Sequence, residues 1–291
     1  MYVPFVSAVL RVRNDAVALW TDTHQALDLL AAPLTRDLRR GWRAGARKSP
    51  NLKLVNRVQP IQATRPAAVL LDFYGTLARA VSRGPLAGEL FARRGLAFDQ
   101  PAWDRHWWDA LDGLDHQEFS GTREDYEAWE LDRLRRAAAA CGVDLDQAEE
   151  LVAELYTASK DFTVLPYEEV APVLEELRRR GLVLGVCSNW DWDLDRVLDE
   201  AGLTSLVDFA VTSARAGVRK PHPLIFRRVL DLAGVTPAEA VFVGDSWQAD
   251  VEGARSAGIA AVHVWREPSE PPPLVDGVRR IPDLRGLLDL A

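Results

Sequence analysis

Short, unbroken apolar runs alternate with stretches of helical periodicity along most of this chain. Runs such as Val69-Leu70-Leu71 and Val241-Phe242-Val243 lack the apolar–polar alternation of a half-exposed strand, so they read as strands buried on both faces. Strands are predicted at 68–72, 182–187, 208–212, 240–244 and 260–264. Between them the spacing predicts helices over 170–180, 194–200, 223–233 and 249–257, with Gly181, Gly202, Gly234 and Gly258 where helix C-caps are expected. Ile281-Pro282-Asp283-Leu284 opens a last short helix. The predicted class is α/β: a parallel sheet covered by helices on both faces.

Two of the buried runs end on acids. Val69-Leu70-Leu71-Asp72 turns through Phe73-Tyr74-Gly75-Thr76, and Val243-Gly244-Asp245 leads on to Asp250. Open α/β sheets bind ligands at the carboxyl ends of their strands. Converging carboxylates repel and raise one another's pKa, so a divalent cation between them is expected. The plainer rivals, a strand-terminal Asp as a helix N-cap and Asp250 as a solvated helix charge, rank below this reading. Gly75 and Gly244 fit tight turns where backbone approaches an anion.

Spacing points to a second domain. Asp72 and Ser188 are 116 residues apart, far more than one βα crossover needs. The excess, about 85–165, has helical patterns at 101–111, 123–141 and 145–159. Only 24 residues separate Lys220 from Gly244, leaving no room for another insertion there.

Composition narrows the classes. A chain of 291 residues can bury a sizeable core. No apolar stretch approaches the ~20 residues that span a bilayer, and residues 1–10 lack a basic flank and cleavage site, so neither a membrane partner nor a secretory signal is expected. Cys141 and Cys187, the only cysteines, are expected to be reduced, which fits a cytoplasmic protein. Residues 1–66 carry a balance of +7 and the remainder −15. An acidic body argues against nucleic acid as partner. The basic extension 1–66 is assigned no function: a flexible arm, a transit-like sequence and translated upstream sequence all remain open.

The acid-terminated runs, with Gly185-Val186-Cys187-Ser188-Asn189 and Arg219-Lys220-Pro221 between them, resemble the four motifs of the haloacid dehalogenase-like hydrolases. The resemblance spans roughly 67–291, with the motifs in order. It implies a Rossmann-like core at 67–84 and 166–291, and a helical cap at 85–165 that covers the site and selects substrate. It further implies a Mg²⁺-dependent phosphatase acting on a small phosphorylated substrate. Asp72 would be the nucleophile, forming an aspartyl-phosphate. Mg²⁺ would be held by Asp72, Asp245 and the Tyr74 carbonyl, with Asp250 orienting its waters or acting as an outer ligand. Thr76, Ser188 and the Asn189 backbone N–H would donate to phosphoryl oxygens, and Lys220 would supply fixed positive charge, a role Arg219 could also take.

One position departs from the pattern. Phosphatases of this family usually carry a second Asp where this chain has Tyr74, as general acid for the leaving group. Tyrosine there resembles the family's 2-haloacid dehalogenases. Those lack the Gly-Asp pair seen in Gly244-Asp245, work without metal, and carry tyrosine where this chain has Phe226. The phosphatase reading therefore leads; dehalogenation, or a feeble relative that binds a phosphorylated ligand or a protein, is the alternative. Trp103, Trp107 and Trp108 in the cap, and Trp190, Trp192 and Trp247 beside the motifs, would pack cap on core or line an aromatic pocket, Trp190 and Trp247 being the pocket candidates. His106, His116, His222 and His263 show no metal-ligand spacing and are read as structural. Oligomeric state and substrate identity have no signature in the sequence.

Overall fold

All four side chains of β1 (Ala68–Leu71) are buried, as a strand covered on both faces requires. The computed structural model describes residues 65–107, 111–144, 148–271 and 273–289. After β1 the chain forms β2 (Ala78–Arg83) and, far along the sequence, its antiparallel partner β3 (Phe162–Pro166). β4 (Val183–Ser188), β5 (Phe209–Thr212), β6 (Ala240–Gly244), β7 (Ala260–Val264) and β8 (Arg279–Ile281) complete the main sheet. Its order is β5-β4-β1-β6-β7-β8, with every neighbouring pair parallel.

Alternation along β1 divides the core in two. Val69 and Leu71, with Val186 and Val243, face α5 (Val170–Arg179) and α6 (Leu194–Glu200) through Val173, Leu177 and Val197. Leu70 and Phe242 face the opposite layer, where α8 (Pro223–Ala233) contributes Ile225, Phe226 and Val229. Each such side chain contributes roughly 1.5–3 kcal/mol by leaving water. The result is the helix-covered parallel sheet that the apolar runs predict. Between α6 and α8, α7 (Ser213–Ala216) is a single turn after β5.

Between β2 and β3 run α1 (Ala87–Arg93), α2 (Gln100–Trp107), α3 (Arg123–Ala140) and α4 (Glu149–Lys160). They pack around an apolar cluster of their own that includes Phe91, Trp103, Trp107, Leu134 and Leu151. Thr122 starts α3 by accepting a hydrogen bond from the Asp125 N–H at 3.1 Å. Residues 1–64, Trp108 and the predicted helix start at 145 lie outside the described residues.

Three strands, β2, β3 and β8, and helices α1 and α7 are absent from the sequence-level expectation. Arg79 and Arg83 are exposed on β2, so it offers no apolar run, and its partner β3 lies some eighty residues on. The helix predicted from 249 begins earlier, as a wide π-type turn (Trp247–Glu252) that runs into Gly253–Ser256. Close packing explains the glycine there: a Cβ on Gly253 would stand 2.7 Å from the Phe226 ring. Among the described residues no helix is long and apolar enough to cross a membrane.

Candidate active site

Parallel pairing brings the carboxyl ends of β1, β4 and β6 side by side, since Leu71 is in register with Val186 on one side and Val243 on the other. At those ends stand Asp72, just past β1, Ser188, the last residue of β4, with Asn189 after it, and Asp245, just past β6. The turn after Asp72 closes tightly against β6. Gly75 has φ +85°, and a Cβ there would stand 2.3 Å from Asp245 Oδ2, so only glycine permits the approach.

Lys220, 1% exposed, reaches into this edge. Its ammonium donates to Asp72 Oδ1 at 2.7 Å, Asp250 Oδ1 at 2.6 Å and the Cys187 carbonyl at 2.9 Å. All three donors are thereby used. Arg219 turns instead toward Ser213 Oγ at 3.4 Å, so of the two adjacent cations it is Lys220 that meets the carboxylates. Ser188 Oγ donates to the same Asp72 oxygen at 2.8 Å. The Asn189 side chain grips the lysine's own backbone, accepting from Lys220 N–H at 2.7 Å and donating to its carbonyl at 3.0 Å. Asp250 Oδ2 accepts from Ser246 N–H at 2.9 Å, so both Asp250 oxygens meet protein donors. Thr76 is buried, its hydroxyl 3.4 Å from Asp245 Oδ1. The Tyr74 side chain, by contrast, is 49% exposed and sits against Trp190, with ring centroids 6.3 Å apart.

Carboxylate oxygens from Asp72, Asp245 and Asp250 all lie within 4.8 Å of one another. If all three were ionised they would carry two negative charges more than the one ammonium, Lys220, that bonds Asp72 and Asp250. Burial, then the charges of Asp72 and Asp250, hold the Asp245 carboxyl well above the usual range. Burial likewise lifts Asp250, to about 6, against the pull of Lys220. Burial opposes the charge on Lys220, but the Asp250 and Asp72 carboxylates outweigh it and raise its pKa. A hard divalent cation with oxygen ligands matches both the charge excess and the donor set.

A pH dependence follows from these directions. A carboxyl whose pKa is higher folded than unfolded stabilises the protein below that pKa, and the contribution is lost as pH rises through it. The metal-free protein should therefore melt lower at pH 7.5 than at pH 5, and Mg²⁺ should raise the melting temperature more at pH 7.5. Asp245→Asn should flatten that difference in thermal melts with and without chelator. An Asp245→Asn protein with an unchanged pH response would separate the cluster from the effect.

Two supports of this edge escape sequence reading. His263 lies at the end of β7. Arg280 Nε can only donate, and does so to His263 Nδ1 at 3.0 Å, so His263 Nε2 carries the proton and donates to the Asp245 carbonyl at 3.0 Å. Its place at the carboxyl end of a core strand was the available signal. The second support is Lys160 of α4, whose ammonium lies 2.6 Å from both Glu130 of α3 and Asp191, two residues past Asn189. Trp103 and Trp107 are buried among the helices between β2 and β3. Trp190 packs edge-on against Phe73 and Phe162 at 5.1 and 5.3 Å, Trp192 lies against Tyr126 at 6.1 Å, and Trp247 donates to Glu252 at 3.0 Å. Phe226 is fully buried against Phe242 at 5.2 Å.

Residues 66–258 match the model of the haloacid dehalogenase-like hydrolases. The chain belongs to this family. It is 41% identical over 136 residues to haloacid dehalogenase-like hydrolase domain-containing protein 3 of Bos taurus, covering 45% of this chain and 53% of the relative. With the phosphoserine phosphatase of Thermus thermophilus it shares 38% over 155 residues, covering 52% and 61%. The matched part thus spans about half to three-fifths of these relatives. Among solved structures, a predicted phosphoglycolate phosphatase from Haemophilus somnus superposes with a TM-score of 0.55 at 20% identity, covering 78% of this chain and 98% of that one. A 2-haloacid dehalogenase from Pseudomonas syringae gives 0.50 at 24%, covering 77% and 97%. Both likenesses establish the fold, which phosphatase-named and dehalogenase-named proteins share.

Proposed function

We propose that this hydrolase is a Mg²⁺-dependent phosphatase of small phosphate esters, working through an aspartyl-phosphate on Asp72. The observation that carries the reading is the convergence of Asp72, Asp245 and Asp250 within 4.8 Å, with one ammonium, Lys220, bonded to two of them. Asp72, Asp245 and the Tyr74 carbonyl would hold the ion. Asp250, which is bonded to Lys220 and Ser246, would act on its outer side. When bound, Mg²⁺ would offset the charge of a phosphate drawn toward a carboxylate.

The chain's own groups divide the rest of the work. Lys220 and Ser188 hold Asp72 Oδ1, while Oδ2 has no donor among the described residues and is available to attack phosphorus. The P–O bond to the ester oxygen then breaks, the alkoxide takes its proton from water to leave as the alcohol, and water later hydrolyses the acyl phosphate to inorganic phosphate and Asp72. Lys220 neutralises part of the developing charge, and Thr76 and the Asn189 N–H orient the phosphoryl oxygens, which Ser188 would join only by turning its one O–H from Asp72 to the substrate. The helical section 85–165 would act as the cap over the core formed by 67–84 and 166–291, excluding water and selecting the leaving group. Curated relatives named phosphoserine, glyceraldehyde 3-phosphate and phosphoglycolate phosphatases support a small substrate.

Tyr74 favours a second reading, dehalogenation of 2-haloacids. The Asp245–Asp250 pair and the buried, hydroxyl-free Phe226 weigh against it. A panel of phosphate esters and 2-haloacids, with and without Mg²⁺, separates the two. Phosphate release that a chelator stops supports the phosphatase; halide release indifferent to chelator replaces it with the dehalogenase.

Tyr74→Asp should then raise activity selectively. A carboxylic acid is a better proton donor than a phenol, and general acid catalysis is worth roughly 10²–10⁴-fold. The gain should appear with alkyl phosphates, whose leaving groups need a proton, and be small with nitrophenyl phosphate. Rates at saturating Mg²⁺ on both ester types check this; equal losses on both would give Tyr74 a role of its own.

A further inference from the structure

The turn that follows Asp72 is held from outside the motifs. Arg266, two residues past β7, donates through one nitrogen, Nη2, to the Thr76 carbonyl at 2.8 Å and to Glu169 Oε1 at 2.7 Å. Its guanidinium carbon lies 3.7 Å from the centre of the Tyr167 ring. Glu169 is only 4% exposed and also lies 3.5 Å from the Leu284 N–H. Tyr167 N–H donates to the Leu77 carbonyl at 3.1 Å. Two consecutive carbonyls of the turn, those of Thr76 and Leu77, are thus tied to the segment leading from β3 into α5 and to the chain leaving β7. On its inner side the same turn presses Gly75 against Asp245 and sets the Thr76 hydroxyl 3.4 Å from Asp245 Oδ1.

An ion pair like this, with Glu169 buried and Arg266 partly exposed, is a poor source of stability, because desolvation offsets most of the attraction. What it fixes is position. We propose that Arg266 is a positioning residue: through the Thr76 carbonyl it holds the Tyr74–Leu77 turn against Asp245, in the geometry that binds the cation and the phosphoryl group. This inference rests on the phosphatase reading above. Groups that orient ligands from behind commonly change metal affinity 10–100-fold when removed.

The test compares Arg266→Met, Arg266→Lys and the double variant Arg266→Met/Glu169→Leu by calorimetric Mg²⁺ titration, melting temperature and steady-state kinetics. Arg266→Met is expected to bind Mg²⁺ about tenfold more weakly or worse and to lose kcat. Lysine, whose ammonium ends one bond short of Nη2 but keeps the charge and the donors, should recover part of both. The double variant leaves no buried charge unpaired, so its melting temperature should recover while its Mg²⁺ affinity stays low. Wild-type Mg²⁺ affinity in Arg266→Met, or affinity that returns together with stability in the double variant, would make Arg266 a structural residue only and overturn the proposal. A wild-type protein that neither binds Mg²⁺ nor hydrolyses any phosphate ester would overturn the phosphatase reading itself, a result distinct from either of these.

Discussion

Asp72→Asn is expected to abolish turnover, by about 10⁴-fold or more, and to leave the fold standing. The amide has the shape of the carboxylate, and its oxygen can still accept from Lys220 and Ser188 at the positions Oδ1 holds at 2.7 and 2.8 Å. What disappears is the nucleophile. One of three mutually repelling charges disappears with it, so in chelator the variant should melt no lower than the wild type. Activity and stability thus part company, as expected where function requires charges that the fold alone would avoid. Mass spectrometry of the intact protein, quenched during turnover, should find added phosphate on the wild type and none on the variant. Near-normal turnover by Asp72→Asn would end the covalent mechanism. A variant that fails to fold would mean that the carboxylate's charge, balanced by Lys220, is itself a pillar of the structure.

Much of this site could be read from the sequence because parallel sheets impose a simple rule. A strand buried on both faces must be apolar throughout, so the first acid after it stands at the sheet edge, and Asp72 and Asp245 were visible for that reason. Ser188 and Lys220 were visible only through the resemblance to the family's motifs, which come in order along the chain. Partners could not be read. Nothing in the string Arg219-Lys220 tells which cation turns inward; the fold decides it by placing Asp72, Asp250 and the Cys187 carbonyl around one of them. His263 and Arg266 stayed hidden because each acts on a backbone carbonyl, which leaves no trace in side-chain chemistry. β2 was hidden because exposed positions carry its arginines, and its identity as a strand depends on β3, which is contributed by the far end of the helical section. The chain leaves and returns through that ladder, so the section from 85 to 165 was visible as excess length well before its connection was.

Lys220→Met should have the second large effect, and it separates stability from chemistry. The ammonium is the sole cation bonded to Asp72 and Asp250 among the described residues, and it also satisfies the Cys187 carbonyl. Methionine fills similar space without charge, so two buried carboxylates would face each other with no counter-ion. Breaking a buried pair from one side costs about 3–5 kcal/mol, a large share of a typical domain's stability. Denaturant unfolding in chelator should register a loss of that order, and Mg²⁺ should recover part of it by binding the exposed charge excess. Adding Asp250→Asn to Lys220→Met removes one of the stranded charges, so stability should return toward the wild type. Turnover should not return, because the double variant still lacks the positive charge beside Asp72 that a phosphate monoester needs on approach. If the double variant regained both stability and turnover, Lys220 would be a counter-ion of the fold and nothing more. A single variant as stable as the wild type in chelator would instead mean that the carboxylates already share protons, and that the charge excess inferred for this edge is smaller than three acids and one ammonium imply.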